Sequence, residues 1–442
     1  MSALLLWLTL LVPTAGVPAV PQAGAPSAPV DSATQVATVV NSAKFKAALA
    51  ALDRDFERHV TETIRLTEIP APPFKESERA KVYAEMFRQH GLADVEIDPE
   101  GNVLGLRRGT LSARSLPGQS GQGSLIAIAA HLDTVFPEGT NVKVRRDGTQ
   151  LFAPGIGDDT RSLAVLLALI RALDAAGLQT KSDILFVGDV GEEGSGDLRG
   201  MKYLFNKGKY AGRITAFISA DGTAPGDDIV TGAVGSKRYR VTFKGPGGHS
   251  YGDFGIVSPA FALAGAIKKF GALTVPKTPK TTFSVGVVGG GTSVNSIPFE
   301  SWMDVDMRSE SRDELNKIDA AFNALVNDAV NEENAARSTT TGKITVDVKL
   351  TGDRPSGQTP AASRIVEIAS ASVKAFGLSP RLTYSSTDSN VPISLGIPAI
   401  TLDAGGKSDR GHSLEEWIDV EKTSALRGMQ MMLATLVTLA GM

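Results

Sequence analysis

The chain has 442 residues, of which 42% are hydrophobic and 21% charged. That balance supplies an ordinary core for two or three domains. A formal net charge of -3 leaves no basic footprint for nucleic acid. The absence of cysteine excludes disulfides and thiolate metal sites, so any metal must be held by carboxylates and by five histidines: His59, His90, His131, His249 and His412.

The first segment, Leu4 to Val12, is apolar and is followed by Pro and Ala up to Pro29. It reads as the core of an export signal over residues 1–25, too short to span a membrane as a stable helix. It lacks a positively charged start, and Val17-Pro18-Ala19 is a candidate cleavage site. An exported protein, periplasmic or secreted, is expected, with no membrane partner once the signal is removed. Residues 20–40 are rich in Pro, Ala, Ser and Thr and read as a linker. From Ser42 to about Leu66, Phe45, Leu49, Leu52, Phe56 and Val60 recur at helical spacing. Ile69-Pro-Ala-Pro-Pro breaks that pattern, and a second helix follows from about Lys75 to His90. His59 and His90 sit on these helices as packing residues, since neither has a partner at ligand spacing.

Four apolar runs of strand type come next, each ending in acids or histidine. Leu125 to Ala130 ends at His131, and Ile184 to Val187 leads to Glu192 and Glu193. Ile214 to Ser219 ends at Asp221, and Ile397 to Leu402 runs into a glycine-rich stretch reaching His412. Helical segments such as Thr160 to Ala176 lie between them. The alternation predicts an α/β domain with a mostly parallel sheet and helices on both faces. Ligands in such sheets bind beyond the carboxyl ends of the strands, where these side chains fall. From residue 233 to 350 the pattern changes. Tyr239–Phe243, Ser301–Met307 and Ile344–Leu350 alternate, while Pro259–Phe270 and Ser311–Val330 are helical. This predicts an inserted α+β domain, two helices on one side of an antiparallel sheet, between catalytic segments 42–232 and 351–442.

Each chemical signal has a plain alternative. His131, in Ala-His-Leu-Asp-Thr, either caps a strand or binds metal, with Asp133 fixing its ring. Asp158 and Asp159 precede an apolar helix and can cap it, yet glycines before them suggest a close backbone approach. Glu192 and Glu193 lie between glycines, and paired carboxylates there call for a shared cation or full solvation. Asp221 and His412 read alone as turn and loop residues.

Together the motifs resemble a family. The order His-x-Asp, Gly-x-x-Asp-Asp, Glu-Glu, Asp-Gly and a late His-Ser is similar to the co-catalytic dizinc peptidases. That family includes glutamate carboxypeptidase, peptidase T, carnosinase, acetylornithine deacetylase and succinyl-diaminopimelate desuccinylase. The resemblance runs from about residue 45 to the end. It implies that His131, Asp158 and Asp221 hold one zinc, and that Asp158, Glu193 and His412 hold the other. Cobalt and manganese are alternative metals. It also implies a general base at Glu192 and a cis bond between Asp158 and Asp159. On the lid, His249 of Gly245-Pro-Gly-Gly-His-Ser would reach the partner subunit's site in a homodimer. Asn295 and Arg308 resemble substrate-binding lid positions, although Arg308 reads equally as a surface strand arginine. Thr160 stands where the family often has lysine, and Gly191 where it has an acid before the Glu pair. An aspartate at 221 goes in this family with aminopeptidases and dipeptidases. The expected activity is therefore hydrolysis of di- and tripeptides. The alternatives are an N-acyl-amino-acid deacylase or carboxypeptidase with the same site, and an inactive metal-binding protein.

Overall fold

The computed structural model describes residues 31–111 and 124–442. The expected export signal lies outside the described residues. Among the described residues, no helix is long and apolar enough to cross a membrane.

Where a linker was expected, Ser32–Asn41 is a helix. Val36 and Val39 on one face are buried, and the helix packs on Arg364–Ala375 and Lys422–Ala440. Ser32 Oγ donates to Glu367 across this contact at 2.9 Å. Its apolar stripe, Val36, Val39 and Val40, is short, and the partner that stabilises it is remote in sequence. The next helical stretch divides at Asp55 into Ala43–Arg54 and Phe56–Thr67, and Ser77–Gln89 follows.

Four parallel strands form the middle of the main sheet, in the order Asp183–Asp189, Leu125–His131, Ile214–Ala220 and Ala399–Leu402. Antiparallel strands extend it on both sides: Val103–Arg107 and Ala93–Ile97 at one edge, Asp228–Ala233 and Gly357–Gln358 at the other. Every residue of Leu125–His131 and Asp183–Asp189 is buried, which is why both read as unbroken apolar runs. Alternation decides their faces. Ile126, Ile128 and Ala130 join a core beneath helix Arg161–Ala175, whereas Leu125, Ala127 and Ala129 join a second core with Met201, Leu204 and Phe205 of Arg199–Asn206. Parallel alignment brings His131 level with Asp189, and Leu402 level with Ala220. The residues that follow these strands are thus gathered at one edge.

The inserted segment has its own four-stranded antiparallel sheet, ordered Thr281–Gly290, Glu300–Ser309, Gly235–Lys244 and Thr345–Arg354. Helices Pro259–Gly271 and Arg312–Ala336 cover one face, where Tyr239, Val241, Phe243, Phe270, Met303 and Phe322 form a separate core. Thr281–Gly290 escaped the sequence reading. It is an edge strand rich in glycine, and an irregularity between Val285 and Val287 breaks its alternation. The last strand runs to Arg354, so residues 351–354 remain in the lid sheet.

The chain passes between the two sheets at Val234–Gly235 and again at Arg354–Ser356. The buried Asn390 side chain donates to Val234 O at 2.9 Å and to Pro355 O at 3.0 Å, holding both crossings together. A Cβ on Gly235 would meet Ser356 N at 2.7 Å and Arg354 O at 2.9 Å. Gly235→Ala should therefore force backbone apart and cost roughly 1–3 kcal/mol, as overpacking does. A denaturant midpoint equal to wild type would show that the crossing can relax freely.

Candidate active site

His131 closes its strand with the ring buried. Its Nε2 lies 2.9 Å from Asp158 Oδ1, and its Nδ1 lies 3.1 Å from the main-chain oxygen of Asp133. The Asp133 carboxylate is 3.7 Å from that nitrogen, beyond hydrogen-bond reach. It accepts instead from the main-chain N–H groups of Glu192 and Glu193, at 3.1 and 2.8 Å. The expected pairing of the Asp133 side chain with His131 is thus carried by its carbonyl. Its carboxylate organises the adjacent acid pair.

The loop from Gly155 to Thr160 delivers the aspartates. Gly155 sits at φ 76°, where glycine is favoured, and the Asp158–Asp159 bond is cis, as the resemblance implies. Helix Arg161–Ala175 follows directly, and Thr160 at its N-terminus makes no side-chain cap hydrogen bond. Asp159 Oδ2 accepts from His131 N at 3.1 Å, tying the loop to the strand end. Thr160, the departure from the family's lysine, makes a buried 2.6 Å hydroxyl contact with Thr67.

His412 is held at φ 64° on the far side, with Nε2 3.1 Å from Asp158 Oδ2 and 3.0 Å from Glu193 Oε1. The Asp158 carboxylate therefore faces one histidine with each oxygen. Asp221, whose N–H donates to Leu402 O at 3.1 Å, completes the group. Ligand atoms of His131, Asp158 and Asp221 all lie within 4.8 Å of one another, as do those of Asp158, Glu193 and His412. The five residues expected to bind metal are brought together.

The electrostatics follow from this crowding of acids and histidines. Burial, then the charge of Asp158, pushes the Asp221 carboxyl well above the usual range. Hydrogen bonds to Asp158 and Glu193 raise His412 to about 10. Burial disfavours charge on His131, but Asp133 and Asp158 outweigh it and hold that ring well above its ordinary value. Burial drives Glu192 up to about 7, opposed by Arg354 and reinforced by Glu193. So many buried carboxylates in one place favour bound cations.

The lid residues stand apart from this cluster. His249 is exposed, and its Nδ1 accepts from the main-chain N–H groups of Tyr251 and Gly252 at 3.2 Å each. Asn295 is exposed and accepts from Ser293 Oγ at 2.6 Å. Arg308 turns its Nε to Asp306 at 2.7 Å and lines a 300 Å³ cleft with Lys280, Thr282, Tyr384 and Ser386.

Two site residues had no sequence signal. Glu416 is buried and accepts from Gly155 N, Gly157 N and Asp158 N at 2.8, 2.7 and 3.0 Å. Arg354 grips Glu192, with Nη1 2.9 Å from its carboxylate. Neither was part of a motif that the sequence reading singled out. Glu416 lies four residues after His412, within the same stretch, and that proximity was the only available hint.

Hydrolysis is the chemistry that such a cluster serves, and the chain is a hydrolase. It belongs to Peptidase family M20/M25/M40, whose model matches residues 127–438. No curated protein sequence matches it. Among solved structures, it resembles the aminopeptidase PepT of Bacillus cereus at 22% identity and TM-score 0.67, covering 87% of this chain and 98% of that one. A tripeptidase from Staphylococcus aureus is similar at 20% identity and TM-score 0.69, with the same coverage. The dipeptidase Dug1p of Saccharomyces cerevisiae is similar at 16% identity and TM-score 0.68, covering 90% of this chain and 98% of that one. At these identities the likeness is one of fold.

Glu416→Ala should strand three main-chain N–H groups. The expected loss is several kcal/mol of unfolding free energy, since each buried group left unpaired costs roughly 1–3 kcal/mol. A wild-type denaturation midpoint would mean that the loop holds itself.

Proposed function

We propose that the chain is a dizinc exopeptidase cutting di- and tripeptides. The observation that carries this reading is the Asp158 carboxylate, which presents one oxygen to His131 and the other to His412. One residue shared by two ligand groups suits a pair of ions. The donors fit: imidazole and carboxylate suit zinc, with cobalt or manganese as substitutes. His131, Asp158 and Asp221 would hold one ion, and Asp158, Glu193 and His412 the other. When bound, such ions supply Lewis-acid polarisation of the scissile carbonyl and make water acidic near neutral pH.

The remaining work falls to the chain. Glu192 is buried beside Glu193, so its carboxyl is poised to take a proton from the attacking water and return it to the leaving amine. Asp133 fixes the main chain of both glutamates. His249 donates to the tetrahedral oxyanion from a partner subunit, while Arg308 and Asn295 bind the substrate's polar ends. The short-peptide reading is supported by Asp221 and by the fold relatives, which include an aminopeptidase, a tripeptidase and a dipeptidase. The apolar run Leu4 to Val12 supports export of the enzyme.

Glu192→Gln should retain both metals and lose at least ~10²-fold in turnover, the scale of a general acid–base group. Near-normal turnover would remove Glu192 from the role. Asp158→Ala should lose metal by elemental analysis, and two tightly held zincs in that variant would place the bridge elsewhere. Assay of di- and tripeptides beside N-acyl amino acids decides the substrate class. Faster cleavage of the acyl compounds would make the enzyme a deacylase.

The homodimer rests on His249, whose exposed ring accepts from the Tyr251 and Gly252 main-chain N–H groups, and on the lid edge strand, where Val287 and Val288 are exposed. A two-fold interface through the lids would cover that edge. Mixing inactive Glu192→Gln chains with inactive His249→Ala chains should restore activity, because a mixed dimer holds one intact site. A fully active monomer at assay concentration would refute the shared site.

A further inference from the structure

The lid strand Thr345–Arg354 ends on the residue that touches Glu192. Arg354 is 4% exposed, and it still pairs with Ser236 in the lid sheet. Its Nη1 lies 2.9 Å from Glu192 Oε1 and 3.1 Å from Ser386 Oγ. Its Nη2 donates to the main-chain oxygen of Glu192. One planar guanidinium thus holds both the carboxylate and the backbone of the same residue, a fixed fork that lysine cannot reproduce.

Two neighbouring ties reach the same turn. Asp353 N donates to the Asp197 carboxylate at 2.9 and 3.1 Å, and Arg238 Nη1 donates to Gly194 O at 2.7 Å. All three ties run from the lid strands Thr345–Arg354 and Gly235–Lys244 to residues 192–197. The lid is therefore fastened to the segment that carries the acid pair, beside the crossing that Asn390 clamps.

We propose that Arg354 is a positioning residue that fixes the Glu192 carboxylate for proton transfer and makes its placement depend on the lid. The inference rests on Glu192 acting as the base. A glutamate side chain left free samples several rotamers, and a misplacement of about 1 Å in a reacting group costs on the order of 10²-fold in rate. Arg354 belongs to the lid sheet and abuts the crossing, so its guanidinium ties the base directly to the lid.

The test uses zinc-loaded full chains carrying Arg354→Ala or Arg354→Lys, assayed on a dipeptide and on its C-terminal amide. Both variants should bind two zincs and lose about 10²-fold in kcat on both substrates, with KM changed far less. Added guanidinium, well below denaturing concentration, should restore part of the kcat of Arg354→Ala and none of that of Glu192→Gln. In a Glu192→Gln background, Arg354→Ala should add almost nothing, because the two act through one carboxylate. Arg354→Lys keeps the buried positive charge, so its kcat remains readable if the alanine variant folds poorly. A raised KM with normal kcat on the free acid, and no effect on the amide, would make Arg354 a substrate clamp and overturn the proposal. Wild-type kcat in Arg354→Lys would overturn it as well. If Glu192→Gln itself turns over normally, the reading of the base fails first, and that result is separate from any seen in the Arg354 variants.

Discussion

The structure depends on keeping several carboxylates, two buried and two half-buried, within a few ångströms of one another. Asp158, Asp221, Glu192 and Glu193 converge at the carboxyl edge of the central strands. Such a group repels itself, and burial strengthens the repulsion. The protein counters this with oriented donors. The Asp133 carboxylate takes the N–H groups of the Glu pair, Glu416 takes those of the Asp158 loop, and two histidines face Asp158. What these donors leave uncompensated is the charge that a pair of cations would balance.

That requirement explains the choice of scaffold. Parallel strands buried on both faces end side by side, and their following turns are free to carry polar groups. Leu125–His131 and Ile214–Ala220 run straight into site residues, so the register of the sheet sets the spacing of the ligands. A hairpin scaffold would send alternate strand ends to opposite edges and divide the cluster.

The lid is more than an appended module. It has its own core, yet its strands enter and leave the main sheet through one clamped crossing. At that crossing a buried arginine meets the acid pair. The lid thus contributes to the site within one chain through Arg354, apart from anything His249 supplies to a partner.

Much of the site was legible in the sequence because its ligands follow strong local signals. Unbroken apolar runs mark doubly covered strands, and acids or histidine after them mark the functional edge. Those signals left His131, Asp158, Glu193, Asp221 and His412 each with a plain alternative, and it was the resemblance carried by their order that implied the ligand set. The helix Ser32–Asn41 and the strand Thr281–Gly290 were not legible, because one takes its stability from remote helices and the other is a glycine-rich edge. Glu416 and Arg354 were invisible for a related reason: each is a single charge whose partner lies far along the chain. The same holds for Asp133, whose sequence spacing suggested its carboxylate would meet His131, while folding gave that contact to its carbonyl. The sequence by itself determined the donor types, their order and the strands that carry them, since these follow from local pattern and side-chain chemistry. Only the tertiary structure decided which group holds which, because a hydrogen bond between residues a hundred or more positions apart depends on sheet register and packing, and neither is written in any local stretch.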